Sequence, residues 1–364
     1  MRHIGYFVTP HGFGHAARSA AVMRALQRRD ESLAFEIFTT VPAWLFEDSG
    51  VDRATFHQVA TDVGFVQATP LREDVPATLE RLSTFLPFDS GLTGRLAERL
   101  TRSGCGLVVC DIAPLGIVAA QAAGLPAVLV ENFTWDWIYQ PYAVREPRFE
   151  EYRSYLGAVF DSADYRVRAE PACGEQRGDL QVAPIAREPR LGADVLRRRL
   201  GVKADRRLVL ISMGGTVADR PTSLRSGGER GVHFVFAHGD GPPEYHADVT
   251  YLPTRSEFYH PDLINASDVV IGKIGYSTVA ETFHCGVPFG FITRPGFRES
   301  DVLASFLMSG TDAIPITTED YESGTWSAHL DALLDRPRRS QDAVNGADAV
   351  ADFLLRLLPP SDTA

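Results

Sequence analysis

Cysteine is scarce in this chain: four in 364 residues, at positions 105, 110, 173 and 285. Their spacing fits neither a zinc motif nor a secreted disulfide framework. Cys105 and Cys110 flank the apolar Leu107-Val108-Val109 and read as small core residues. A basic excess is also missing. Lys and Arg number 36 against 47 Asp and Glu, a formal net charge of −11, whereas nucleic-acid binders usually carry a basic stripe or excess. The one arginine run, Arg197-Arg198-Arg199, is diluted by acids and reads as a solvated helix face. No run is long and apolar enough to span a bilayer. Met1 leads straight into a short apolar run and a glycine turn, without a small-residue cleavage site, so the cytoplasm is the expected compartment. No cluster of side chains has metal-ligand spacing, so no metal and no resident cofactor are expected. Oligomeric state is left open.

What is present is an ordinary globular balance, 45% apolar and 23% charged, over a length that suits two domains with separate cores. Short apolar runs alternate with helical patterns, which predicts α/β architecture with mostly parallel sheets. The first half predicts strands near 4–8, 34–39, 55–59, 107–110, 127–130 and 165–168, and helices over 16–28, 77–86, 92–103 and 115–123. The second half predicts strands near 208–213, 233–237, 249–252, 268–271, 288–292 and 313–316, and a helix over 277–285. The stretch 184–192 holds two prolines and little periodicity and reads as a linker. The expected domains are therefore 1–185 and 193–342. Residues 343–364 carry an amphipathic helix that lies on the surface or crosses back to the first domain. The segment 214–231, rich in Gly, Ser, Thr and Arg, reads as a mobile loop.

Each half contains a glycine turn between a strand and a helix, the unit that presents backbone N–H groups and a positive helix end to an anion. The first is His11-Gly12-Phe13-Gly14-His15. Gly12, Gly14 and Ala17 formally match the dinucleotide fingerprint G-x-G-x-x-G/A, but that fingerprint expects an acid closing the next strand, and Thr39-Thr40 stands there. His15 falls at the helix start. A positive helix end favours neutral imidazole, which suits a general base; the plainer role is a helix cap. Asp111 directly follows a buried strand and either orients His15, as the acid of a triad does, or caps the loop behind it. The segment Asn132-Phe133-Thr134-Trp135-Asp136-Trp137-Ile138-Tyr139 either stacks on a sugar or apolar acceptor or packs as an aromatic lid. His11, Phe13, Asn132, Trp135, Asp136 and Tyr139 are the acceptor-binding candidates.

The second turn is Gly272-Lys273-Ile274-Gly275-Tyr276. Gly272 and Gly275 allow close backbone approach, and Lys273 adds charge near a phosphate. Ser277 and Thr278 offer hydroxyls or cap the helix. Glu281 either completes a Thr278-x-x-Glu281 capping box or binds the two hydroxyls of a ribose.

The order of the Gly-x-x-Gly turn, Ser277 to Glu281, Cys285-Gly286-Val287-Pro288 and Arg294-Pro295-Gly296-Phe297-Arg298-Glu299 resembles the donor half of GT-B glycosyltransferases, notably the bacterial N-acetylglucosaminyltransferase of peptidoglycan synthesis. That resemblance assigns ribose to Glu281 and sugar hydroxyls to Glu299, with Ser300 or Asp301 behind it. It also assigns the diphosphate to the Ser212-Met213-Gly214-Gly215-Thr216 turn and the base to His15. The chain is further similar, over nearly its whole length, to the N-terminal glycosyltransferase-like part of plant L-arabinokinases, through the two glycine turns, residues 132–139 and Val287-Pro288-Phe289. The sugar-kinase part and its glycine-serine ATP loop are absent, so kinase activity is not implied.

The expectation is a GT-B protein of two doubly wound, Rossmann-like domains facing across a cleft. Donor contacts are expected from Gly214, Gly215, Thr216, Gly272, Lys273, Gly275, Ser277, Thr278, Glu281 and Glu299. The expected partners are small molecules, a nucleotide sugar (UDP-sugar favoured) and an acceptor, joined by metal-independent inverting transfer with His15 and Asp111 as the catalytic pair. The alternatives are a nucleotide-sugar hydrolase of the same fold, whose turn Gly14-His15-Ala16-Ala17-Arg18 resembles, and a non-catalytic sugar-nucleotide-binding module.

Overall fold

The computed structural model describes residues 2–69, 72–213, 231–239, 241–294, 296–339 and 343–359. The chain forms two compact units. One takes the N-terminal part to Ile185 together with residues from Val344 onward, and the other is chiefly Ala186–Ala343.

In the first unit seven strands form one parallel sheet: β1 (Arg2–Val8), β2 (Leu33–Thr39), β3 (Ala54–Gln58), β4 (Cys105–Asp111), β5 (Ala127–Glu131), β6 (Tyr165–Ala169) and β7 (Leu180–Val182). Their order is β3-β2-β1-β4-β5-β6-β7. The central strands are apolar on both faces, as a sheet covered by helices on both sides requires. Helices α1 (Phe13–Arg29), α2 (Val75–Phe85), α3 (Ser90–Arg102), α4 (Pro114–Ala123), α5 (Trp135–Arg145) and α6 (Phe149–Asp161) make the crossovers. The direction of strand order reverses between β1 and β4, so the loops after these two strands open a crevice at their carboxyl ends.

Helix α1 is buried continuously from His15 to Met23. Its run of alanines makes this possible, because small side chains let the helix lie close on the sheet while an alanine-rich sequence keeps helix propensity high. The C-terminal helix Gly346–Leu357, started by the Asn345 side chain accepting from Ala347 N, packs on α1. Asp348 and Asp352 meet Arg29 at 2.8 and 2.5 Å.

The second unit repeats the plan. Strands β8 (Arg207–Ser212), β9 (Val232–Gly239), β10 (Glu244–Tyr245), β11 (Val249–Pro253), β12 (Val269–Lys273), β13 (Phe289–Ile292) and β14 (Ala313–Ile316) lie in the order β10-β11-β9-β8-β12-β13-β14. The strands are parallel except at the β10–β11 edge. Among its helices are α7 (Ala193–Arg199), α8 (His260–Ala266), α9 (Tyr276–Cys285) and α10 (Arg298–Gly310). One core face is filled by Val209, Ile211, Phe234, Ile271 and Trp326, side chains whose burial is each worth about 1.5–3 kcal/mol. Here order reverses between β8 and β12.

One local reading needs correction. Residues 135–145 form a helix rather than an aromatic loop, despite Pro141 inside it. Only Trp135, Ile138 and Tyr139 are buried, on one face; further apolar residues such as Trp137 and the exposed Val144 lie off that face and blur the periodic stripe. The boundary between the two units falls after Ile185, inside the stretch 184–192 read as linker, and beyond it Arg190 N and Leu191 N donate to Asp262 Oδ1 of α8 at 2.5 and 3.0 Å. Most of the segment 214–231 lies outside the described residues. Among the described residues no helix is long and apolar enough to cross a membrane.

Candidate functional site

The loop after β1 places Gly12 before α1 at φ 78° and ψ 174°, a combination essentially restricted to glycine. No side chain caps the helix, so its first N–H groups stay available to an anion or a polar ligand. Across the strand boundary, Ile112 follows Asp111 at φ 41°. A β-branched residue with positive φ is strained, and such strain gathers at functional sites.

Between these loops lies a buried polar cluster. Asp111 Oδ1 stands 3.0 Å from His15 Nδ1 and accepts from Arg18 Nη2 at 2.6 Å. Its Oδ2 accepts from Arg18 Nε at 2.9 Å and from the Ser19 hydroxyl at 3.0 Å. Arg18 Nη1 donates to Asn132 Oδ1 at 2.8 Å. Burial alone would raise the Asp111 carboxyl, but the Arg18 charge and the hydrogen bonds from Arg18 and His15 outweigh it and hold it below its ordinary value.

This arrangement selects a histidine tautomer. Asp111 is an ionised acceptor, so His15 Nδ1 carries the proton and Nε2 keeps its lone pair. Arg18 Nη2 lies 3.2 Å from Nδ1, with both groups converging on the same oxygen. Among the described residues nothing hydrogen-bonds to His15 Nε2. The Phe133 ring packs edge-to-face on the imidazole, centroids 5.6 Å apart, and fixes the ring plane.

The other acceptor candidates divide. His11 is half-buried and packs against Trp135 at 5.0 Å; Phe13 is half-buried against Trp44. Asn132 is spent on Arg18. Trp135 and Tyr139 are 1% and 0% exposed, their polar ends donating to Asp62 Oδ2 at 3.0 Å and to the Gly64 carbonyl at 2.6 Å. Asp136 lies beside Gly157 of α6. The aromatic segment thus forms the wall behind His11 rather than an open stacking surface.

In the second unit Gly272 lies so close to β8 that a Cβ there would fall 1.9 Å from the Ser212 carbonyl oxygen. Only glycine lets these strands end side by side. Gly275 starts α9, and no side chain caps it. The capping roles expected of Ser277, Thr278 and Glu281 are therefore absent: the helix begins at Tyr276, which puts Thr278 inside the first turn, and the Glu281 carboxylate is used elsewhere. Its Oε1 accepts from Arg187 Nε at 2.8 Å and its Oε2 stands 3.2 Å from His260 Nδ1. His260 Nε2 is 3.0 Å from the Ser212 hydroxyl. Glu281 is 1% exposed. Burial opposes its ionisation, yet Arg187 and the His260 hydrogen bond hold it below its ordinary value.

Lys273 ends β12 at this crevice, and burial with the Arg294 charge beside it pulls its ammonium down to about 8. Glu299, in the first turn of α10, pairs with Arg294 at 3.6 Å. Gly214, Gly215 and Thr216 lie outside the described residues. Among the described residues no three His, Cys, Asp or Glu side chains converge as a metal site requires.

Sequence reading missed Arg18 as a member, although its position one turn after His15 on an alanine-rich helix is a signal. It also missed Asp62, Arg187 and His260, which only long-range packing brings into place.

No family model matches the chain. It is 28% identical over 359 residues to L-arabinokinase of Arabidopsis thaliana, a match covering 96% of this chain and 34% of that protein; the chain thus spans about a third of this relative's length. Among solved structures it is similar to CalG4, the calicheamicin glycosyltransferase, with TM-score 0.64 and 16% identity over 100% of this chain and 99% of that one. It is also similar to Acinetobacter baumannii MurG, with TM-score 0.55 and 14% identity over 98% and 100%. Medicago truncatula UGT71G1, solved with UDP-glucose, gives TM-score 0.57 and 12% identity over 98% and 94%. Two Rossmann-like units, each with its glycine turn at the reversal of strand order, give this chain the fold of the GT-B glycosyltransferases.

Proposed function

We propose that this protein is an inverting glycosyltransferase that moves a sugar from a nucleoside-diphosphate sugar to an acceptor hydroxyl. The observation that carries this reading is the His15 Nε2, bare among the described residues, with Nδ1 anchored to an ionised, buried Asp111. Such an imidazole can accept one proton and holds the resulting imidazolium against a carboxylate. His15 takes the proton of the acceptor hydroxyl as that oxygen attacks the anomeric carbon. The bond to the diphosphate breaks, and the electron pair leaves with it. Lys273 and the uncapped N–H groups at the start of α9 meet the charge on the leaving group, the task a metal ion performs in other transferases.

A UDP-sugar is the favoured donor; UDP-glucose in UGT71G1 supports a nucleotide of this class. Glu299 would contact sugar hydroxyls. Glu281 would reach a ribose only by exchanging Arg187 or His260 for the diol. His11 and Phe13, the half-buried members of the first turn, would contact the acceptor, and the reaction would take place in the cytoplasm.

The test is a thermal shift against UDP, GDP, CDP, dTDP and ADP, followed by nucleotide release from the matching sugar with and without acceptor hydroxyls. One stabilising nucleotide is expected, by mass action, with release that needs an acceptor. Release with water alone turns the reading to a hydrolase, since the same Nε2 can activate water. Nucleotide binding without any release reduces it to a binding module.

A further inference from the structure

Asp62 lies on the loop after β3, 4% exposed. Its Oδ2 accepts from the Trp135 indole N–H, and Thr9, the residue after β1, faces the same carboxyl. Its Oδ1 is buried and has no hydrogen-bond partner among the described residues. Two residues on, Gly64 leaves so little room that a Cβ there would fall 2.8 Å from His11 Nδ1 and 3.0 Å from Trp135 Cζ2. The loop therefore fills the space behind the turn that carries His11 and His15.

The surroundings of Asp62 disfavour its charge. Burial is the chief cause; hydrogen bonds from Thr9 and Trp135 work against it without offsetting it, Asp111, from β4, adds repulsion, and Arg81, from α2, attracts the charge least. The Tyr139 hydroxyl, from α5, is made harder to ionise chiefly by its own burial, and further by any charge on Asp62. Among the described residues no cation bonds the carboxyl, unlike Asp111, whose two oxygens take three donors besides His15. A buried acid without a cation is most stable neutral.

We propose that Asp62 is a positioning residue of the His15 site that works as a neutral carboxylic acid, holding Trp135 and the Thr9–Gly12 turn in place with its proton on Oδ1. Burial, followed by repulsion from Asp111, pushes the Asp62 carboxyl up to about 7. Near neutral pH it is poised to lose that proton. Once ionised it needs water or a cation, which it gains only by drawing residues 61–64 away from His11 and Trp135. The linkage sign is opposite to that of Asp111. Asp62 binds its proton more tightly folded than unfolded, so its stabilising contribution is complete below its ordinary value and is lost as pH rises towards 7. Asp111, held low, stabilises above its ordinary value and loses that contribution in acid.

The role of Asp62 rests on His15 being the working base, but its protonation is testable without substrate. Tryptophan emission of the full chain is followed from pH 5 to 9. The parent should show a step near pH 7 that His15→Gln retains and both Asp62→Asn and Trp135→Phe remove. A parent without a step, or a step that survives in Asp62→Asn, overturns the proposal. Should Asp62→Asn fail to fold, a step that persists in Trp135→Phe overturns it equally. Thermal unfolding adds a second reading: the parent melting temperature should fall relative to Asp62→Asn between pH 4 and 7, and parallel curves count against the assignment. In turnover, the parent should lose kcat above pH 7 while Asp62→Asn keeps it to pH 9; identical profiles overturn the positioning role. An emission step in a chain that binds no nucleotide separates failure of the transferase reading from failure of this one.

Discussion

Each unit holds a histidine whose Nδ1 meets a buried carboxylate, and in each an arginine and a serine complete the cluster. In the first unit the other three groups all gather on the acid: Arg18, Ser19 and His15 Nδ1 meet Asp111, and among the described residues nothing bonds His15 Nε2. In the second, Ser212 bonds the far nitrogen of His260 instead, and Arg187 takes the other oxygen of Glu281. The same residue types thus give two different chemistries. A histidine with one end anchored and one end bare can move a proton. A histidine bonded at both ends is a strut that positions its neighbours, here the end of β8 and the face of α9.

The sharpest way to break this comparison is to remove each histidine in turn. His15→Ala should lower turnover by about 10²- to 10⁴-fold with nucleotide affinity near the parent value. His260→Ala should act mainly on nucleotide affinity, read as a dissociation constant by calorimetry. Equal losses of kcat in the two variants would abolish the distinction.

Arg18→Met comes next. It leaves Asp111 buried without its cation, which should cost about 3–5 kcal/mol of unfolding free energy in urea. Arg187→Met should cost less, because Arg187 is less deeply buried and His260 can still answer Glu281.

A third experiment uses Lys273. Its ammonium loses charge as pH rises through about 8, so nucleoside-diphosphate affinity should fall between pH 7 and 9. Lys273→Met should bind more weakly by about 1.5–3 kcal/mol at pH 7, and its affinity should change little with pH. A parent affinity that is flat over this range would remove Lys273 from the anion site.

The smallest effect is expected away from both clusters. Asp352→Asn removes a half-exposed partner of Arg29 on the C-terminal helix and should change stability by under about 1 kcal/mol.

Much of the fold was legible because its signals are local. The strand Ala313–Ile316 and the end of α9 at Gly286 follow from apolar runs and a glycine at the helix end. Helix α5 was illegible because apolar residues outside its buried face, Trp137 and the exposed Val144 among them, hide the periodicity of Trp135, Ile138 and Tyr139. His15 and Asp111 were legible as separate candidates, one beside a glycine turn and one at a strand end. For Trp135 and Tyr139 the sequence left stacking on an acceptor and packing as a lid both open, since nothing local tells a stacking surface from a core wall.

The sequence by itself determined the repeating strand–turn–helix units, the two glycine turns and the acid at the end of β4, since each depends on residues a few positions apart. Only the tertiary structure decided which acid meets which histidine. His15 and Asp111 are 96 positions apart, and Arg187 and Glu281 are 94 apart. Strand order, not spacing, brings such residues together. Burial then fixes their charge states, because an acid in the interior stays ionised only where a cation and hydrogen-bond donors surround it.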